Sequence, residues 1–168
     1  MSSAPYFVPD NDSTLNSALV LIIVSQLGKT ARARLLLNNE RLHLMLYLLK
    51  NPIVMNRVLQ DLGYSAAGLD EHDEYSVSGI SVNLDPLYDN DQLKSLLMRL
   101  ASMNLIGAKY RKVEGFMYLL TGEGSSAEAA LTGDYFDTAR RYVGALASLS
   151  SVSTANLNAA VEQAIERI

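Results

Sequence analysis

Residues 105–122 read LIGAKYRKVEGFMYLLTG. An apolar helix end gives way to a short alternating segment, Ala108 to Val113, then to Glu114-Gly115, then to a second alternating segment, Phe116 to Thr121. Period-two alternation on both sides of a turn glycine predicts a β-hairpin directly behind a helix. Lys109, Arg111 and Lys112 feed cations to its tip. Such a hairpin serves either as the wing of a nucleic-acid reader or as the docking edge of a module that holds other proteins.

Working back from the hairpin, Leu93, Leu96, Leu97, Leu100, Ala101 and Leu105 recur at helical spacing behind a cap at Asp89 or Asn90. Residues 61–91 hold eight acids and no Lys or Arg, with Gly63, Gly68, Gly79 and Pro86 among them. That composition predicts loop, interrupted by a strand in YSVSGISVNL, residues 75–84. Further back, a first helix starts with Ser13 or Thr14 as its N-cap, ends at Gly28 and is apolar almost all round. A basic stretch, KTARAR, leads to a second helix through Leu42, Met45, Leu46 and Leu49 that stops before Pro52. Pro52 opens a third helix, with Ile53, Val54, Val58, Leu59 and Leu62 inward and Gly63 closing it. Beyond TGEGSS the chain is Ala-rich and helical in two segments, 134–149 and 153–167.

These elements predict a mainly α chain with a small β-hairpin: a winged helix-turn-helix core with flanking N- and C-terminal helices. The core spans 13–122, with an acidic insertion at 63–90. Residues 1–12, with Pro5 and Pro9, form an extended arm, and 123–168 form a C-terminal helical extension.

Of 168 residues, 49% are apolar and only 19% charged, against a usual charged share of about 25%. This balance points to an apolar surface covered by a partner. The all-round apolar first helix, with Leu19, Ile22 and Ile23, is the candidate contact. A net charge of −4 repels a phosphate backbone overall, so only a local basic patch could meet one. The absence of cysteine excludes disulfides, thiolate metal sites and cysteine nucleophiles, and suits a reducing, cytoplasmic setting. The N-terminus lacks the basic and apolar regions of a secretory signal. The most apolar run, ALVLIIVSQL, covers ten residues where a membrane span needs about 20.

Three stretches resemble chemical motifs and fail on spacing or context. LGKT at 27–30 looks like the end of a phosphate-binding loop, but the position that needs its first glycine is Ile23, inside a helix. DEHDE at 70–74 gathers four carboxylates around His72 without the spaced ligands of a calcium loop, which suits a solvated acidic loop. His43, among Leu42, Leu44 and Met45, reads as a packed or edge residue. No triad, zinc site or cofactor site has sequence support, and the chain is expected to be non-enzymatic. The one electrostatic signal is basic: Lys94, Arg99, Lys109, Arg111 and Lys112 on the helix and hairpin, and a second patch of Lys29, Arg32, Arg34 and Arg41. In a winged helix these groups would meet phosphates, although acidic proteins attract the same cations.

The aliphatic helix ending in Gly-Lys-Thr, the Leu-rich helix closing at Asn-Pro (LMLYLLKNP), the acidic insertion and the wing, over residues 13–121, resemble the small middle components of bacterial three-component ABC ATPase conflict systems, of which Lamassu is an antiphage type. The resemblance implies a non-catalytic subunit that sits with an SMC-like coiled-coil ATPase and a nuclease-type effector, restraining or positioning it until foreign DNA is sensed. Two other classes fit the residues: a dimeric winged-helix transcription regulator and an antitoxin-like inhibitor of a separate enzyme.

Overall fold

The computed structural model describes residues 12–74 and 90–168. Within them the chain runs α1 (Ser13–Leu27), α2 (Asn39–Lys50), α3 (Pro52–Asp61), a one-turn α4 (Glu71–Glu74), α5 (Asn90–Ser102), β1 (Ile106–Arg111), β2 (Gly115–Leu120), α6 (Gly122–Ala129), α7 (Asp134–Leu146), a 3-10 turn (Ala147–Ser151) and α8 (Thr154–Glu166). The described residues are thus mainly helical, with one small antiparallel hairpin. Of the expected arm at 1–12 only Asp12 is described, and the rest of the arm, the strand at 75–84 and the cap at Asp89 lie outside the described residues.

Helix α1 is the centre of the core. Leu19, Val20, Leu21, Ile22, Ile23, Val24 and Leu27 are all buried in it. A helix apolar round almost its whole circumference must be covered on nearly every side, and the chain supplies the cover itself: α2, α5, β2, α6 and α7 all pack against α1, leaving Ser25 and Gln26 exposed. This corrects the expectation that Leu19, Ile22 and Ile23 face a partner. They are at most 2% exposed and inside the chain's own core. Each is worth about 1.5–3 kcal/mol when buried, so presenting them to another protein would require dismantling this fold.

Helix ends follow local chemistry. Asp12 caps α1, its carboxylate accepting from the N–H groups of Thr14 (2.9 Å) and Leu15 (3.3 Å), one residue before the expected cap. Pro52 opens α3 as expected, and Gly63, at φ +84°, closes it: the Tyr64 N–H donates to the Leu59 carbonyl and the Gly63 N–H to Gln60. Asn104, at φ 57°, ends α5 by the same pair of bonds, Leu105 to Leu100 and Asn104 to Ala101. The chain therefore turns straight into β1, which begins two residues before the alternating segment predicted it. Ile106, opposite Leu120, is buried at the base of the hairpin, and the turn is Lys112-Val113-Glu114 with Gly115 at φ +81°.

Helix α6 occupies the stretch read as a TGEGSS linker. Thr121 starts it: its hydroxyl accepts from the Gly124 N–H (2.9 Å) and donates to the Asn104 carbonyl (2.6 Å), stitching α6 to the end of α5. Gly124 is obligatory, because a Cβ there would lie 1.8 Å from the Leu105 carbonyl oxygen.

The C-terminal helices fall where the Ala-rich segments predicted. They are held to α2 by Arg41, whose guanidinium donates to the carbonyls of Leu149 (2.6 Å) and Val152 (2.7 Å). Arg41 is 6% exposed, and burial pushes its pKa below the ordinary value. It is therefore a structural clamp and no member of a surface patch, correcting its assignment to the basic cluster at 29–41. The acidic stretch is only partly solvated. Asp70 holds Arg141 (2.6 Å) and the Thr138 hydroxyl (2.8 Å), and the Tyr142 hydroxyl donates to Asp73 (2.5 Å) and accepts from the Asp70 N–H. Glu71, His72 and Glu74 remain exposed.

Candidate interface at the hairpin end

The KTARAR stretch forms a tight loop because its own backbone closes it. The Thr30 N–H donates to the Arg34 carbonyl (2.8 Å), the Ala33 N–H to Thr30 (2.9 Å), and Lys29 bridges Leu35. Ala33 takes φ 61°, a left-handed conformation uncommon outside glycine. The chain then runs beside β2, where the Leu37 carbonyl accepts from the Tyr118 N–H (2.9 Å). That bond brings the loop to the hairpin tip.

Two basic segments distant in sequence thereby meet around one acid. Glu114 stands 3.7 Å from Arg34 of the loop and 3.7 Å from Arg111 of β1, and its backbone carbonyl accepts from the Asn38 side chain (3.3 Å). Arg34 is thus linked to Arg111 through Glu114, with Lys29 and Arg32 on the same loop and Lys109 and Lys112 on the same hairpin, and Glu114 is the only acid in residues 29–38 and 106–115. On a chain of net charge −4, this end concentrates positive potential.

The hairpin register sorts its side chains onto two faces. Tyr110 opposite Phe116 forms an aromatic face, their rings edge-to-face at 5.4 Å and 68% and 55% exposed. Lys109, opposite Met117, and Arg111, opposite Gly115, point the other way, and Met117 beneath them is buried. Val113 caps the turn at 95% exposure.

The remaining expected contacts do not gather here. Lys94 lines a groove between α2, α5 and α8 with Glu40, His43 and Glu162. Arg99 donates to the Ser13 hydroxyl at the start of α1 (3.3 Å). His43, read as packed or at an edge, is 9% exposed at that groove.

What sequence reasoning missed is a run of exposed apolar residues within one stretch of sequence. Of the seven large hydrophobics that stand exposed among the described residues, five fall between 98 and 116: Met98, Met103, Tyr110, Val113 and Phe116. A signal was available, since Met98 lies off the Leu93–Leu97–Leu100 stripe and can only point outward from α5.

Among the described residues, no group of three or more His, Asp or Glu is placed to hold a metal ion, and no helix is long and apolar enough to cross a membrane. No curated protein and no solved structure matches the chain. Residues 27–159 do match the model of a family described as ABC-three component (ABC-3C) system Middle Component 4. Because that match runs from the end of α1 into α8, over most of the length, the chain belongs to the Middle Component 4 family of ABC-three component systems.

Proposed function

We propose that the chain is a non-enzymatic adaptor subunit that binds an SMC-like coiled-coil ATPase and a nuclease-type effector, and restrains or positions that effector in a bacterial antiphage complex. Family membership supports a subunit role within a three-component system. The observation that carries docking is the concentration of Met98, Met103, Tyr110, Val113 and Phe116 on one stretch, from the outer side of α5 through the hairpin. Exposed aromatic and Met side chains are the groups enriched where proteins meet, and Met adapts to a partner's shape.

The arrangement that presents them supports a winged-helix core. Helix α1, residues 35–37 bonded to β2, α2, α5 and the hairpin can be read as the parts of such a core, with other elements intervening between α2 and α5. In this reading α3, α4 and the acidic stretch are inserted before the helix that leads to the wing.

Co-expression with the neighbouring genes and capture on a tagged ATPase subunit tests the proposal. Met98→Glu combined with Phe116→Glu is expected to cut recovery of the chain at least about tenfold while leaving its own fold intact. Undiminished recovery would contradict docking through this stretch. A second reading, a DNA-binding transcription regulator, is favoured by the basic hairpin. It predicts a free dimer with a specific DNA site and no captured ATPase.

A further inference from the structure

We infer that the basic face of the hairpin end, formed by Lys29, Arg32, Arg34, Lys109, Arg111 and Lys112, is a binding surface for a nucleic-acid phosphate backbone, separate from the aromatic face used for docking. The inference is independent of the docking proposal in its chemistry and complements it in place.

Three observations carry it. First, the fold brings two basic segments to one end: the Leu37–Tyr118 backbone bond runs the loop beside β2, and Glu114 stands between Arg34 and Arg111, with Lys29 and Arg32 on the same loop and Lys109 and Lys112 on the same hairpin. Like charges gathered at an exposed site repel weakly through water, and a polyanion that contacts several of them at once turns that cost into attraction. Second, hairpin alternation separates Lys109 and Arg111 from Tyr110 and Phe116, and Met117 is buried, so along the strands the basic face carries no large exposed apolar side chain, Val113 standing exposed at the turn alone. Protein interfaces have apolar centres depleted of lysine, and three of these six cations are lysines. A surface of cations without an apolar centre suits a polyanion read through its charge, which is how phosphate backbones are held. Third, the rest of the chain is correspondingly acidic, so its field orients this end toward a polyanion and keeps other surfaces away.

Four of the cations, Lys29, Arg32, Lys109 and Lys112, have no contact with Glu114. If each neutralises one phosphate, the slope of log affinity against log salt is about −3.6 on duplex DNA, which is about a hundredfold loss between 50 and 200 mM salt. A single strand gives a shallower slope, about −2.8.

The test is anisotropy of labelled DNA, about 20 base pairs or nucleotides long, with the isolated chain and with the co-expressed complex. Arg32→Glu/Lys109→Glu/Lys112→Glu is expected to lower affinity at least about thirtyfold at low salt and to flatten the duplex slope by about 2.7. The matching Gln variant should give an intermediate loss, which separates charge from any disturbance of the fold. Both variants should still be captured by the ATPase subunit. Unchanged DNA affinity and slope in the Glu variant would overturn the inference. So would displacement of the duplex by polyglutamate as readily as by unlabelled DNA, since the surface would then be reading acidic protein. Loss of the Glu variant from the complex with its DNA affinity intact would also overturn it and would assign the basic face to docking. Failure of the wild-type chain to be captured would reject the adaptor proposal, while the isolated chain's DNA titration would still decide this one.

Discussion

Arg34, in the loop after α1, stands 3.7 Å from Glu114 at the far end of the hairpin turn, and this contact joins the chain's two basic segments into one surface. Both groups are well exposed, so the pair itself contributes at most about 1 kcal/mol. Its consequence is placement and not stability. Glu114→Gln should therefore leave the melting temperature nearly unchanged while releasing Arg34 and Arg111 to meet phosphates, steepening the salt dependence of DNA binding by up to about 1.8. Weaker DNA binding by this variant would show that Glu114 organises the cations and does not merely occupy them.

Arg41 tests how the C-terminal helices are held. Its guanidinium supplies donors to the carbonyls of Leu149 and Val152 within a buried joint. Arg41→Met keeps much of the apolar stem but removes two charge-assisted bonds, each worth about 1.5–3 kcal/mol, leaving the Leu149 carbonyl with the Val152 N–H alone and the Val152 carbonyl without the guanidinium. Urea denaturation should show a loss of about 3 kcal/mol, and hydrogen exchange should rise first in the 3-10 turn and the start of α8. A loss below about 1 kcal/mol would mean that water replaces the guanidinium.

Two glycines of α6 should respond oppositely. At Gly124 an added Cβ would enter the Leu105 carbonyl, a backbone atom that cannot swing aside, whereas at Gly122 nothing lies within 4 Å. Gly124→Ala should destabilise by about 2 kcal/mol or more, since it forces α6 away from the end of α5. Gly122→Ala should change stability by no more than about 0.5 kcal/mol. Thermal melts of the two variants side by side check the contrast.

These glycines also show where sequence reading stops. Gly122, Gly124, Ser125 and Ser126 favour helix weakly, so local propensity hides α6; its cause is the close approach of Gly124 to Leu105, a contact between distant elements. Helix ends at Pro52 and Gly63, and the break between the last two helices, were legible because each rests on local backbone chemistry. The apolar circumference of α1 was legible as a demand for burial. Its covering by α6 and α7, from the far half of the chain, was not, so Leu19, Ile22 and Ile23 read as partner contacts. The hairpin was legible from its alternation, but its start was not, because Ile106 and Gly107 resemble a helix end until Asn104 is seen to turn left-handed. Of the candidate site, the six cations were all visible in the sequence, and the link between their two segments through Arg34, Glu114 and Arg111 was not.

The joint between the acidic stretch and α7 should be sensitive to alkali. Burial first, and then the neighbouring carboxylate of Asp73, push the Tyr142 hydroxyl up from an ordinary value of 10.0 to about 12. The folded state thus holds this proton more tightly than the unfolded chain, so its contribution is complete below pH 10 and is lost as the pH rises toward 12. Tyr142→Phe should cost about 1–2 kcal/mol at neutral pH through the missing bond to Asp73. Across pH 10 to 12 the stabilities of the two proteins should converge. A gap that stays constant through that range would place the Tyr142 proton elsewhere.

The most direct test of the adaptor reading is hydrogen exchange of the chain alone and within the complex co-expressed from its neighbouring genes. Docking through the outer side of α5 and the hairpin predicts that amides in residues 98–116, the stretch that carries five of the exposed hydrophobics, gain protection on assembly. Amides of α1 should change little, because α1 is already covered by its own chain. Protection appearing in α1 or α8 while residues 98–116 exchange as in the free chain would contradict the account.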